Sequence, residues 1–155
     1  MMGRPARLLF LPAFLGVMAT AVGRDVATLF DAALGDPSAD RSVVYKTIGD
    51  TELVLNIYEP ENRDLPAKPA ILWFHGGGWK SGFPGYLGPH AAYFAGLGYL
   101  NITAEYRLAG TDGLTTFECV EDARDAFYWM VGNAGSLGID PASIIVAGES
   151  AGGHL

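Results

Sequence analysis

Cysteine is nearly absent: Cys119 is the only one in 155 residues. No disulfide can therefore close within the chain, and no cysteine-built zinc cluster can form. Cys119 falls in an expected helix and reads as a small buried packing residue. Basic residues are also scarce, with 10 Lys and Arg against 17 Asp and Glu and a formal net charge of −7. They form no basic stripe of the kind that phosphate-backbone binding relies on, which argues against nucleic acid as a partner. No repeat period organises the 21 glycines and 9 prolines, which excludes a collagen-like or low-complexity polymer. They point instead to many turns and close backbone approaches.

An apolar run long enough to span a bilayer is missing too. Leu8 to Ala19 is the longest, and it falls short of the ~20 residues a spanning helix needs. Arg4 and Arg7 precede it, and the small residues Ala19, Ala21 and Gly23 follow. That order is the order of a secretory signal. Residues 1–23 are thus expected to be a cleaved signal peptide, leaving an exported chain (periplasmic or extracellular) with no stable membrane span. No cysteine follows the run to accept a lipid.

In the remaining sequence, residues 42–46 and 53–58 are rich in β-formers and separated by Gly49-Asp50, which predicts an antiparallel hairpin at a sheet edge. Ala70 to Phe74 and Ile144 to Ala147 are apolar without alternation, the pattern of strands buried on both faces. Pro89 to Leu97 reads as a helix and residues 99–104 as the next strand, so a parallel crossover is expected. Thr115 and Glu118 have capping-box spacing. Behind them Val120, Ala123, Phe127, Met130, Val131 and Ala134 keep helical spacing, which predicts an amphipathic helix over 116–134 with that face inward.

Two glycine motifs end the two buried strands. Gly148-Glu149-Ser150-Ala151-Gly152 follows Ala147, the strand-to-helix setting that a nucleophile elbow requires. There Gly148 and Gly152 spare the strained turn a collision with the serine, and Ser150 stands exposed as the candidate nucleophile. His75-Gly76-Gly77-Gly78 follows Phe74. Glycines without Cβ atoms can turn backbone N–H groups inward, so Gly77, Gly78 and the elbow's Ala151 are the candidate oxyanion donors. His75 and Gly76 support that loop. Both motifs fall on the carboxyl edge of a parallel sheet, where such sites lie.

At these residues the sequence resembles the α/β-hydrolase fold, and within it the bacterial esterases related to hormone-sensitive lipase and to acetyl- and feruloyl-esterases. The likeness runs from about Val43 to Leu155. It includes His75 to Trp79, Glu105-Tyr106-Arg107, Gly138 to Pro141, and Gly148 to Leu155. The resemblance implies a mostly parallel sheet with helices on both faces. It also implies carboxylic-ester hydrolysis through an acyl-enzyme on Ser150, with no metal and no organic cofactor. The substrate would be a small-molecule or carbohydrate-linked ester. Trp79, Phe83 and Tyr86 are candidates for the wall of an acyl or aromatic pocket, and Glu105 and Arg107 for a structural ion pair or loop contacts.

In this family the triad runs Ser, then Asp or Glu, then His, whereas the chain continues only five residues past Ser150. None of His75, His90 and His154 matches the family's catalytic histidine. Residues 24–155 are accordingly expected to be the amino-terminal half of a hydrolase domain, with the triad acid and base elsewhere and little activity alone. The rival readings are a serine peptidase on the same fold and a non-catalytic, degenerate homologue. The His-Gly-Gly-Gly stretch favours esters over the former. Against the latter stands the unpaired apolar sheet edge that would lie beside Ala147.

Overall fold

The computed structural model describes residues 38–60 and 67–155. The expected signal peptide, and most of the segment that follows it, lie outside the described residues.

Strand β1 (Arg41–Ile48) turns through Gly49 and Asp50 into β2 (Thr51–Tyr58), and the two pair antiparallel as the hairpin pattern predicts. β2 also pairs antiparallel with β4 (Leu100–Ala104), while β3 (Lys68–Phe74) runs parallel to β4 on one side and to β5 (Ile139–Gly148) on the other. The sheet is therefore mixed, in the order β1-β2-β4-β3-β5. Its parallel half carries the two glycine motifs.

The period of two along each strand sorts its side chains between two faces. One face presents Leu55, Ile57, Leu72, Phe74, Leu100 and Ile102. It is covered by helix α2 (Thr116–Gly132), through Cys119, Ala123, Ala126 and Met130, and by the short helix α3 (Ala134–Leu137). On the opposite face Tyr58 and Trp73 meet Ala91 and Ala95 of helix α1 (Gly88–Gly96), which follows a 3-10 turn at Pro84–Leu87. Helices thus cover both faces. The capping box of α2 is complete: Phe117 N–H donates to Thr115 Oγ1 (3.2 Å), and Thr115 N–H donates to Glu118 Oε2 (2.7 Å).

Two expectations need correction. Of the expected stripe on α2, Ala123, Met130 and Ala134 are buried and Phe127 packs against the core, and Cys119, Asp122 and Ala126 share their face. Val120 and Val131 are instead 48% and 38% exposed. A charged residue, Asp122, sits within the buried face, a placement that an apolar pattern cannot register. Nor is β5 buried on both faces, since Ile145 and Val146 are 46% and 52% exposed. Among the described residues β5 pairs only with β3. Its Asp140-Pro141 turn forms a kink inside the strand. Asp140 Oδ1 accepts from Ala142 N–H (3.0 Å) and its Oδ2 from Ser143 Oγ (2.9 Å), while the register shifts opposite Lys68 and Ala70.

Candidate active site

Adjacent parallel strands β3 and β5 end together, with Phe74 opposite Gly148. Glu149 N–H donates to Phe74 O (3.1 Å), which joins the two strand exits. Ser150 then adopts φ 49° and ψ −114° and opens the short helix α4 (Ala151–His154). A side chain at positive φ is strained, and Ser150 bears that strain while exposed to solvent.

The flanking glycines are required for a different reason from the one expected. A Cβ on Gly152 would run into the carbonyl groups of Phe74 and His75, and one on Gly148 into the backbone of Gly152 itself. The elbow is pressed against its own helix and against β3, and the nearest atoms that a side chain would strike are backbone atoms.

The second motif lies directly beside the first. A Cβ on Gly76 would stand 3.2 Å from Glu149 O and 3.4 Å from Ser150 Cβ. Gly77 (φ 119°), Gly78 (φ 62°) and Trp79 (φ 63°) follow, all at positive φ. Lys80 and Ser81 donate their N–H groups back to Gly77 O, each at 3.1 Å. Among the described residues nothing accepts from the N–H groups of Gly77, Gly78 or Ala151.

His75 is buried and its ring stacks on Tyr106, with 4.3 Å between centroids and 15° between planes. Its Nδ1 lies 2.8 Å from Gly76 O, and since a carbonyl only accepts, Nδ1 carries the proton. Burial pushes the imidazole below its usual range, and the Gly76 hydrogen bond offsets this only in part. His75 is therefore a neutral residue held against its own loop. His154 is exposed, its ring edge-on to Trp79 at 5.5 Å. Neither histidine hydrogen-bonds Ser150. His90 lies on α1 with its ring 6.1 Å from Trp73.

Phe83 and Tyr86 are exposed and pack on each other, 4.3 Å between centroids. They are not in ring contact with Trp79, so the three proposed pocket residues form two separate groups. Glu105 and Arg107 are structural, though not as one pair. Glu105 Oε2 accepts from Val54 N–H (3.1 Å). Arg107 gives Asp122 its backbone N–H (3.0 Å), Nε (2.7 Å) and Nη2 (2.9 Å). Three residues around the site escaped the sequence reading. Asp122 was hidden in a helix stripe, and Tyr106 lay within a motif whose charged neighbours drew attention. Gly82 is the third: a Cβ there would meet His75 Nδ1 and Gly76 O. A further glycine four residues after Gly78 was its one sequence signal.

A mixed sheet, helices on both faces, and a strained serine between strand and helix define this chain as part of an α/β-hydrolase fold. Residues 55–155 match the BD-FAE family model, and the chain belongs to that family. It is 39% identical to a thermophilic esterase, Est2, of the Planctomycetes species Thermogutta terrifontis. The structural match has a TM-score of 0.71 and covers 77% of this chain and 43% of that one. The same esterase phosphonylated by cyclosarin matches at 38% identity and TM-score 0.71, over 77% of this chain and 45% of that one. Carboxylesterase NlhH of Mycobacterium tuberculosis is 35% identical over 118 residues, 75% of this chain and 35% of the relative. The chain thus spans less than half the length of these esterases.

Proposed function

We propose that the chain carries the nucleophile and oxyanion hole of a serine carboxylic-ester hydrolase. The observation that supports this most is the contact of the Ser150 elbow with the His75–Gly78 loop, which sets unengaged amides beside an exposed serine. In this reading Ser150 Oγ attacks the ester carbonyl and its proton passes to a base. The oxyanion takes N–H bonds from Gly77, Gly78 and Ala151, and losing one such donor raises the barrier by about 2.7–4 kcal/mol. The C–O bond to the alcohol breaks and the alcohol leaves with the proton. Water then attacks the acyl-Ser150 ester and releases the acid.

The base and its acid partner are not among the described residues in this reading. The 155-residue chain alone then retains only the weak catalysis left when triad members are missing. The substrate is a small-molecule or carbohydrate-linked ester, with Trp79 and the Phe83–Tyr86 pair toward its acyl or aromatic part. The leader of residues 1–23 sends the protein out of the cytoplasm. Likeness to an esterase that cyclosarin phosphonylates makes an organophosphorus probe the natural test. A fluorophosphonate is expected to label the intact protein at Ser150, located by peptide mass, and Ser150→Ala to lose both labelling and hydrolysis of short-chain p-nitrophenyl esters. Labelling elsewhere, or hydrolysis of a peptide amide in place of esters, would overturn the assignment.

A further inference from the structure

Trp79 closes a run of three positive-φ residues from Gly77, and at φ 63° a non-glycine residue keeps that conformation only where its surroundings hold it. Within the loop the restraints are the bonds to Gly77 O and the bond from His75 Nδ1 to Gly76 O. Further ones come from the segment after β4. Tyr106 Oη donates to His75 O at 2.8 Å while its ring lies flat on the His75 imidazole. Ala109 N–H donates to Trp79 O at 2.7 Å. The loop is therefore tied at both ends, residues 75 and 79, to one short stretch of chain. That stretch is itself anchored, since Asp122 takes three hydrogen bonds from Arg107 and Cys119 Sγ donates to Arg107 O at 3.1 Å.

We propose that Tyr106 is a positioning residue of the catalytic loop: its hydroxyl, through the His75 carbonyl, sets where the Gly77 and Gly78 amides stand relative to Ser150. The proposal rests on the reading of those amides as oxyanion donors. Tyr106 touches neither substrate nor reacting atoms; it acts through the main chain of His75. Burial pushes its phenol up to about 12, so it stays a hydrogen-bond donor throughout the range in which esters are assayed. Because an oxyanion donor works on the transition state and hardly on the bound ester, displacing one alters kcat and leaves KM in place.

The test uses the intact protein, a short-chain p-nitrophenyl ester, and a trifluoromethyl ketone whose serine adduct carries the oxyanion. Tyr106→Phe keeps the ring stack and deletes only the hydroxyl. It is expected to lower kcat by roughly ten- to hundredfold, below the full loss for a deleted donor, with KM within about twofold. Ketone affinity should fall in proportion to kcat. Tyr45→Phe is the matched control, because Tyr45 Oη donates to the carbonyl of the preceding residue, Glu105, at 2.7 Å and does not reach the loop. It is expected to keep kcat. Ala109→Pro deletes the other tether and is expected to repeat the kcat-selective loss, which covers a Tyr106→Phe chain that failed to fold. Unchanged kcat and ketone affinity in folded Tyr106→Phe, or an equal loss in Tyr45→Phe, would overturn the proposal. If Ser150→Ala kept its activity, the nucleophile assignment would fall, and the proposal with it. Loss in Ser150→Ala with no change in Tyr106→Phe would sink the positioning role alone.

Discussion

Asp122 joins parts of the chain that are separate in sequence. It is fully buried, yet it receives Arg107 from the segment behind β4 and Lys46 Nζ from the edge strand β1 at 2.7 Å, and Lys46 also reaches Asp125 at 2.6 Å. A bulge between Val44 and Lys46 lets the consecutive Tyr45 and Lys46 both turn toward α2. Burial alone would raise the Asp122 carboxyl, but the hydrogen bonds from Arg107 and Lys46 together outweigh it and hold the group below its usual range. A carboxyl with a depressed folded-state pKa contributes stability that is present above its unfolded value, about 3.9, and is lost as pH falls below it. Asp122→Asn is expected to cost about 3–5 kcal/mol, the usual result of breaking a buried pair from one side, and to flatten the acid limb. Urea midpoints measured between pH 3 and pH 7 check both. Parallel curves for the two proteins would show that Asp122 does not carry the acid sensitivity.

At the scale of the element, α2 gives the clearest comparison. Its stripe of Cys119, Ala123, Ala126 and Met130 packs under the sheet, while Val131, next to Met130, points outward. Met130→Ala is expected to destabilise by about 2–5 kcal/mol and Val131→Ala by no more than about 0.5 kcal/mol, as read from denaturant midpoints; equal costs would restore the stripe drawn from apolar spacing. That contrast also marks the limit of what the sequence discloses. The hairpin, the strands β3 and β4, the helix start at Thr115 and the serine elbow were all legible, because turn residues, caps and β-rich runs act locally. The burial of Asp122 on α2 was not, because its partners Lys46 and Arg107 lie outside the helix. The need for Gly152 was legible as a motif but not as a cause. The obstruction is the carbonyl end of β3, and only pairing in space brings the two together. Tyr106 escaped for the same reason, its partner being a main-chain carbonyl with no side-chain signature.

At the scale of the whole molecule, the exposed Ile145 and Val146 on β5 leave apolar surface on a strand that only β3 pairs among the described residues, a setting that favours edge-to-edge association of the 155-residue chain. The 155-residue chain expressed by itself is expected to self-associate with rising concentration, and Val146→Lys to reduce this. Light scattering across a concentration series reads the effect; a chain that stays monodisperse and monomeric throughout would remove β5 from consideration.

The pairing of Phe74 with Gly148 also bears on how the molecule reaches its native state. The strands that deliver the glycine loop and the serine are neighbours in the sheet but are separated in sequence by a 3-10 turn, three helices and a strand. Closing so large a loop is slow, because chain entropy is lost before the contacts form. The serine turn cannot be strained into shape until that closure is complete, since the backbone it presses against belongs to the other strand. Refolding followed by probe labelling should therefore lag behind refolding followed by helical circular dichroism, and reactivity would be among the last native properties to appear.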